Sequence, residues 1–404
     1  MNKCWCGNTE FEFYSEHYQR CPSCCTLISC EDFDENITEI QDECGDLYGS
    51  NYWKEQMVKM AGEDSLDGLV DCYLRERALY WLKTVLRYRL PGVKSMELGC
   101  GLGQFSYLMK AGGYQQTAME LSPEIVAFIH NNLNVQVIQG TSEQLDGSYD
   151  IIEAFDVIEH VTDPVEFIQQ IGHHLSEGGL LCLQTPCYDE TLSYAQMQTQ
   201  KPRFEGLMVE DEHIFLFSRK AMTKLLNEMG FQYVQFEPAF FGDDYDMYVF
   251  ASKQPLELHT EEEIAEALNS QPNGRLIKAL LRLFEEKEQA QALIERHRRD
   301  ADSRLQQVEQ LEQWLQNSEA DRQLRLERIN NLEVRLQESE ADRQLRLERI
   351  NNLEVRLQES EADRAARLSI IQTLEARLEE SEADRAARLV CIQELTDKIQ
   401  QLGN

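Results

Sequence analysis

The sequence has no apolar run of the roughly 18 uncharged residues that a membrane-spanning helix needs. Its first 8 residues also have neither the basic region nor the apolar region of a secretory signal peptide. These two absences predict a cytoplasmic protein with no transmembrane segment.

Basic side chains are few, since 39 Lys and Arg face 72 Asp and Glu in 404 residues, a net charge of −33. Residues 301–404 contain 22 acidic and 15 basic side chains, a balance of −7, so residues 1–300 carry −33 minus −7, or −26. A surface this negative repels phosphate groups. We therefore expect no nucleic-acid partner and no direct attraction to an anionic membrane.

Glycine and proline are absent from residue 301 until Gly403, and a repeat fills this segment. Residues 318–338 recur unchanged as residues 339–359 and return twice more in diverged form. The 21-residue period equals three heptads, with apolar residues at most a and d positions. The pattern predicts a long C-terminal coiled coil over residues 301–404, and the alternative is a single solvated, charged helix.

One motif within the repeats bears on the number of chains. Arg328-Ile329-x-x-Leu332-Glu333 places Arg at g, apolar residues at a and d, and Glu at e. It resembles the trimerisation motif of short parallel coiled coils, in which the arginine reaches a glutamate on the next helix. We therefore expect a parallel homotrimer rather than a dimer.

Cysteine is concentrated at the N-terminus. Seven of the 12 cysteines precede Gly45, namely Cys4, Cys6, Cys21, Cys24, Cys25, Cys30 and Cys44. In a reducing compartment such a cluster indicates a metal site rather than disulfides. The two pairs Cys4-x-Cys6 and Cys21-x-x-Cys24 predict a tetrahedral zinc site in a small module at residues 1–45. Unligated thiols are the alternative, and whether Cys25 or Cys30 replaces one ligand is open.

Residues 46–252 alternate apolar runs, glycine turns and helical periods, as expected of a parallel α/β sheet. A predicted strand at residues 93–98 leads into a glycine-rich turn at residues 99–103 and then a helix. Such a turn lets a ligand approach the backbone at a helix N-terminus. A second strand ends at Glu120, where a carboxylate can accept hydrogen bonds from ribose. Residues 253–300 are expected to be a linker with an amphipathic helix.

Several motifs in this domain, taken together, resemble those of class I S-adenosylmethionine-dependent methyltransferases. They are the segments 96–103, 141–143 and 149–164, and the resemblance extends over residues 69–252. It implies a Rossmann-like sheet with helices on both faces. The implied cofactor contacts are Glu97, Gly99, Cys100, Gly101, Gly103, Glu120, Leu121, Thr141, Ser142, Asp156 and Val157. A dinucleotide-binding domain is the competing interpretation. Its glycine motif ends in a third glycine or another small residue, but this sequence has Gln104 and Phe105 there.

The segment Glu212-His213-x-x-x-Phe217-Ser218 resembles a signature of sugar methyltransferases. The resemblance implies a general base at His213 with Glu212 beside it, because imidazole can remove a hydroxyl proton near neutral pH. His160 is the other candidate base. A purely structural histidine is the alternative for both positions.

The cysteine module and the long stalk resemble those of methyltransferases that act on surface polysaccharides. The resemblance implies O-methylation of a sugar in a lipid-linked glycan such as the O-antigen of lipopolysaccharide, with the methyl group ending chain growth. Polysaccharide-assembly proteins would then hold the enzyme at the inner membrane face. A tyrosine-rich loop typical of C-methylating members is not evident, although Tyr48 and Tyr52 lie nearby. The alternatives are another small molecule, such as a quinone, and a scaffold without turnover.

Overall fold

The computed structural model describes residues 3–31, 33, 40, 48–242, 245–329 and 336–402. The chain divides into two compact units, Met1–Phe284 and Glu285–Asn404. Within the described residues no helix has the length and apolarity needed to cross a membrane.

A small antiparallel sheet forms the N-terminal module. Its strands, in spatial order, are β1 (Glu12–Phe13), β2 (Tyr18–Arg20), β3 (Leu27–Ser29) and β9 (Phe215–Leu216). The fourth strand comes from nearly 190 residues further along the chain than β3. The module therefore shares a sheet with the segment that follows His213.

The main sheet has seven strands in the order β10-β11-β8-β7-β4-β5-β6. These strands are β4 (Lys94–Leu98), β5 (Gln115–Glu120), β6 (Gln136–Gln139), β7 (Tyr149–Phe155), β8 (Leu175–Pro186), β10 (Tyr233–Glu237) and β11 (Asp246–Ser252). Strands β4 to β8 are parallel, and β10 and β11 are antiparallel additions at one edge. The carboxyl ends of the parallel strands thus meet along one edge.

Helices cover both faces of this sheet, as predicted. The α-helices of the described residues are α1 (Val58–Ala61), α2 (Leu66–Tyr73), α3 (Leu79–Tyr88), α4 (Gln104–Gly112), α5 (Pro123–Asn132), α6 (Pro164–His174), α7 (Tyr194–Gln200), α8 (Pro202–Glu205), α9 (Arg219–Glu228), α10 (Glu261–Asn269), α11 (Gly274–Ile329) and α12 (Leu336–Leu402). Most of α11 and all of α12 belong to the second compact unit. Ile151 of β7 packs with α3 and α4, whereas its neighbour Ile152 packs with α6 and α9. Both residues are fully buried, because successive strand side chains point to opposite faces.

The segment after β11 differs from the linker expected at residues 253–300. Leu268 of α10, together with Ile277 and Phe284 of α11, is buried in the core cluster that contains α3. The first compact unit consequently extends to Phe284. The expected amphipathic helix thus packs its apolar side on the core of the first compact unit.

The second unit consists of helix, as the repeats predicted. Three side-chain contacts join α11 to α12, namely Arg304 to Ser360 at 2.8 Å, Arg346 to Ser318 at 3.5 Å and Arg367 to His297 at 3.0 Å. Residue numbers fall along one helix as they rise along the other, so these helices are antiparallel within one chain. A parallel coiled coil over residues 301–404 needs one continuous helix in each chain, so this antiparallel pairing within one chain differs from that prediction. The motif residues Arg328, Ile329, Leu332 and Glu333 lie outside the described side chains.

Candidate functional site

The glycine-rich turn links the end of β4 to the start of α4, as predicted. Gly99, Gly101 and Gly103 all have left-handed φ angles, at 64°, 53° and 75°. A β-carbon at Gly101 would lie 2.5 Å from the Trp53 ring, so a side chain has no room there. The turn therefore packs closely against Trp53 and leads into the N-terminus of α4, where N–H groups attract an anionic or polar ligand. Cys100 within it is buried.

Glu120 stands at the carboxyl end of β5 beside this turn. One carboxylate oxygen accepts the backbone N–H of Gly101 at 2.8 Å, and the other accepts that of Leu121 at 2.9 Å. A carboxylate has about four lone-pair sites. Glu120 is thus held in place at the sheet edge where the resemblance implies the ribose of the cofactor.

Glu97 lies in the protein interior beneath the turn. Its carboxylate accepts a hydrogen bond from Ser106 of α4 at 2.5 Å. Burial raises the pKa of Glu97 to about 8, and the same cause raises the pKa of Glu153 on the adjacent strand to about 8. The contact with Ser106 ties Glu97 to the helix that follows the turn, so Glu97 supports the turn from within.

The predicted adenine contacts follow β6. Thr141 caps a single helical turn, Ser142–Gln144, and forms a capping box with Gln144. The Ser142 hydroxyl donates to the side-chain oxygen of Gln170 at 2.5 Å. The turn is therefore ordered at the same sheet edge as Glu120.

Asp156 and Val157 occupy the end of β7. Asp156 has a φ of 56°, which is uncommon for a non-glycine residue and marks a sharp change of chain direction. A β-carbon on Gly99 would lie 2.7 Å from a Val157 methyl group, so the two loops are in close contact. The predicted contacts from β4 and β7 thus come together.

Two charged residues at this edge were not predicted. Arg77, with a side chain 11% exposed, lies 3.7 Å from Asp156, and its Nε atom has no partner among the described residues. Asp246 begins β11 and is 2% exposed, and its Oδ2 atom likewise has no partner in the part of the chain that is described. Burial and the nearby charge of Asp156 raise the pKa of Asp246. No motif marks either residue in the sequence.

His160 follows Asp156 in the same loop and is the centre of a hydrogen-bonded cluster. Its Nδ1 atom lies 2.8 Å from the carbonyl oxygen of Glu212 and 2.7 Å from the hydroxyl of Tyr48. A carbonyl only accepts, so Nδ1 carries a proton and Nε2 is the unprotonated nitrogen. Burial, with a contribution from His213, lowers the pKa of His160 to about 3. His160 is therefore neutral at physiological pH.

His213 lies beside His160, with 4.8 Å between the ring centroids. Its Nδ1 atom lies 2.5 Å from the carbonyl oxygen of Leu207. This contact fixes the tautomer whose Nε2 atom can accept a proton. Burial lowers the pKa of His213, which keeps that nitrogen unprotonated. The two histidines named from the sequence are thus adjacent, and both are neutral.

Tyr48 and Tyr52 also belong to this region. The Tyr48 ring contacts His160 edge to face at 5.4 Å between centroids, and Tyr52 contacts Tyr48 at 6.4 Å. Burial raises the pKa of both phenols, so both stay protonated. The nearness of these tyrosines to His160 was not anticipated, since the sequence separates Tyr48 from His160 by more than 100 residues.

The predicted cysteine ligands form one cluster. The sulfur atoms of Cys4, Cys6, Cys21 and Cys24 all lie within 4.8 Å of one another. Cys4 and Cys24 are 3.5 Å apart, and Cys6 and Cys21 are 3.6 Å apart. When four thiolates bind one zinc ion at Zn–S distances of about 2.3 Å, their sulfur atoms are slightly further apart than these 3.5 and 3.6 Å. The residue types and the spacing therefore fit a tetrahedral zinc ion.

The other N-terminal cysteines are placed differently. Cys25 has its sulfur 3.8 Å from the Lys220 amine, and Cys30 is exposed. Cys44 lies outside the described residues. Neither Cys25 nor Cys30 belongs to the group of four that can hold an ion.

Comparison with known proteins agrees with this geometry. Residues 73–236 match a family described as "Methyltransferase domain". A ubiquinone biosynthesis O-methyltransferase from Xanthomonas campestris pv. campestris (strain B100) is 34% identical over 108 residues, which cover 24% of this chain and 45% of that protein. The chain thus spans less than half the length of this curated relative.

Two solved methyltransferase structures are similar to about half of this chain. Magnesium protoporphyrin IX methyltransferase from Synechocystis PCC 6803 with bound SAH is 16% identical, covers 50% of this chain and 97% of its own, and has a TM-score of 0.37. Human N-acetylserotonin methyltransferase in complex with SAM is 15% identical, covers 52% and 60%, and has a TM-score of 0.39. The family match and the sheet order favour the methyltransferase over the dinucleotide-binding interpretation. Residues 73–236 are thus similar to known methyltransferase domains.

Proposed function

We propose that the whole protein transfers the methyl group of S-adenosylmethionine to a hydroxyl oxygen, with His213 as the general base. The observation that carries this proposal is the contact between His213 Nδ1 and the Leu207 carbonyl oxygen at 2.5 Å. It leaves Nε2 as the proton acceptor, and burial lowers the pKa so that this nitrogen is free. A base of this kind contributes about 10²-fold or more to the rate.

The residues at the sheet edge suit the cofactor. The turn at residues 99–103 leads into the N-terminus of α4, and Glu120 offers a fixed carboxylate. The bound cofactor supplies an electrophilic methyl group on sulfur. His213 accepts the proton that the acceptor hydroxyl loses, while His160 holds the adjacent Glu212 carbonyl in place.

We assign the acceptor to the sugars of a cell-surface polysaccharide, presented as a lipid-linked glycan. Three features of the sequence support this assignment: the Glu212-His213-x-x-x-Phe217-Ser218 signature, the cysteine module and the long repeat segment. A methyl group on the terminal sugar hydroxyl removes the nucleophile needed for the next sugar. Chain termination is therefore the specific form of the proposal.

A quinone precursor is the second candidate acceptor. It is favoured by the curated relatives, which are named ubiquinone biosynthesis O-methyltransferases. A phenolic hydroxyl has a pKa near 10, as in tyrosine, so it needs less help from a base than a sugar hydroxyl does. Dependence of the rate on His213 consequently separates the two candidates.

We further propose that the four-cysteine site holds zinc with a structural role and that the repeats assemble the chains into a homotrimer. Support for the first comes from the four clustered sulfur atoms. Support for the second comes from the large apolar side chains exposed on the single chain, including Leu311, Leu353 and Ile350. Exposed apolar side chains at heptad positions are suited to burial against other helices.

The test is to incubate full-length protein with methyl-labelled S-adenosylmethionine and either lipid-linked glycan extracts or a polyprenylated catechol. We expect label in the glycan, about 10²-fold less with His213→Ala, and no change with His173→Ala, which alters an exposed histidine of α6. Label only in the catechol would overturn the sugar assignment. Equal rates for wild type and His213→Ala would overturn the base.

A further inference from the structure

The segment that contains His213 is continuous with the sheet of the cysteine module. Strand β9 begins at Phe215, two residues after His213, and pairs antiparallel with β3. The paired residues are Leu27 with Leu216 and Ile28 with Phe215. The position of the base therefore depends on the module as well as on the main sheet.

Tyr18, in the neighbouring strand β2, contacts this segment directly. Its side chain is fully buried, and its hydroxyl donates a hydrogen bond to the carbonyl oxygen of His213 at 2.9 Å. Ser29 holds the backbone on either side: its hydroxyl donates to the Glu210 carbonyl at 2.7 Å, and its N–H donates to the Ile214 carbonyl at 3.0 Å. The module thus fixes the main chain before, at and after the base.

The cysteine site lies at the turn that joins these two strands. Cys21 directly follows β2, and its N–H donates to the Thr26 carbonyl at 2.9 Å, which closes the turn into β3. Cys24 lies within the same turn and contacts Cys4. A metal ion that binds Cys21 and Cys24 would therefore hold the two strands in the register that places Tyr18.

The opposite side of the segment is held by the loop after β7. The Ile214 N–H donates to the Glu159 carbonyl at 2.8 Å, and His160 contacts the Glu212 carbonyl at 2.8 Å. His213 thus lies between two sets of backbone hydrogen bonds, one from the loop after β7 and one from the cysteine module. A base has to be placed within a fraction of an ångström, and a misplacement of about 1 Å costs on the order of 10²-fold in rate.

We infer that Tyr18 is a positioning residue for catalysis, and that the cysteine module serves the reaction by holding His213 in place through it. The inference rests on the proposed role of His213 as the base. It predicts that loss of the Tyr18 hydroxyl lowers turnover without weakening the cofactor site, because Tyr18 contacts the base segment and not the glycine-rich turn.

The test compares Tyr18→Phe with Tyr14→Phe in the full-length protein. Tyr14 is a matched control because it is buried in the same module, while its hydroxyl has no partner among the described residues. We expect Tyr18→Phe to lower kcat roughly three- to tenfold, the equivalent of one hydrogen bond, with the Kd for S-adenosylmethionine unchanged. Tyr14→Phe should keep the wild-type kcat.

A double-mutant cycle distinguishes positioning from a general effect on the fold. If Tyr18 acts through His213, Tyr18→Phe has no further effect on kcat once His213 is alanine. An equal loss in both backgrounds would overturn the inference, as would a silent Tyr18→Phe. A silent His213→Ala would instead overturn the proposed base. If Tyr18→Phe fails to fold, Ser29→Ala removes the second anchor and is tested in the same cycle.

Discussion

The imidazole Nδ1 of His160 lies 2.8 Å from the carbonyl oxygen of Glu212, the residue immediately before His213. The loop that follows the cofactor strand β7 therefore holds the backbone of the proposed base. Because burial lowers the pKa of His160 to about 3, its ring is a weak proton acceptor and is better suited to orienting this segment. The contact assigns different roles to two histidines that the sequence presents as rival bases.

The low pKa of His160 predicts acid sensitivity of the fold. Burial favours the neutral form, so the folded pKa is about 3 against about 6.5 when unfolded. The contribution of the neutral His160 to the free energy of unfolding is complete above about pH 6.5. It is lost as the pH falls, because His160 binds a proton in the unfolded chain before it does so in the folded chain. Between pH 7.5 and 5.5 the titration of His160 should lower the free energy of unfolding by about 1.4 kcal/mol.

His160→Asn keeps a side-chain N–H and removes the titrating ring. We expect urea unfolding of this variant to lose about 1.4 kcal/mol less than wild type over that pH range. His173→Ala serves as the control, since His173 is exposed on α6. Equal pH dependence in wild type and His160→Asn would contradict the assignment of a buried, neutral His160.

The glycine-rich turn and Glu120 could be predicted because their signal is local. A strand end, three glycines and a helix start follow each other within a dozen residues, and the structure has them in that order. Arg77 and Asp246 could not be predicted in this way. One comes from the helical segment before β4 and the other from β11, and only the strand order brings both to Asp156.

The same distinction applies to the N-terminal module. The spacing of the cysteines predicts their cluster, because ligand pairs in tight turns fix local geometry. The pairing of β3 with β9 joins residues nearly 190 positions apart, and two-residue strands carry no periodic pattern. Residues 253–300 were expected to be a polar linker followed by an amphipathic helix. The local sequence does not show that the apolar side chains of this segment pack in the same core cluster as α3.

Glu120→Ala should weaken binding of S-adenosylmethionine by about 1.5 to 3 kcal/mol, since a charged acceptor for the ribose is lost. The turn also loses the carboxylate that accepts the Gly101 and Leu121 N–H groups. Isothermal titration calorimetry measures the change. Glu177→Ala, at the other end of the sheet, should bind like wild type, and unchanged affinity of Glu120→Ala would remove Glu120 from the site.

The full-length protein produced with zinc available should contain one zinc ion per chain. Replacing both Cys21 and Cys24 with serine should release the ion and destabilise the module, because metal binding is coupled to folding of such sites. Replacing Cys25 and Cys30 with serine should leave the metal content unchanged, since neither belongs to the cluster of four. Elemental analysis gives the metal content, and metal-free wild-type protein would contradict the zinc assignment.

Deletion of one repeat, residues 339–359, tests how the second unit assembles. Three whole heptads preserve the a and d register, so the oligomer should remain a trimer by sedimentation. In a parallel stalk the deletion shortens the particle by ~30 Å, at 1.5 Å per residue. In the antiparallel arrangement given by the contacts of Arg304, Arg346 and Arg367, α11 keeps its full length and the particle shortens little. Small-angle scattering distinguishes the two, and a dimer by sedimentation would contradict the trimer.

If the stalk spaces the enzyme from polysaccharide-assembly proteins, the same deletion in cells should shift the length distribution of the glycan. An unchanged distribution would mean that the repeats serve only to assemble the chains.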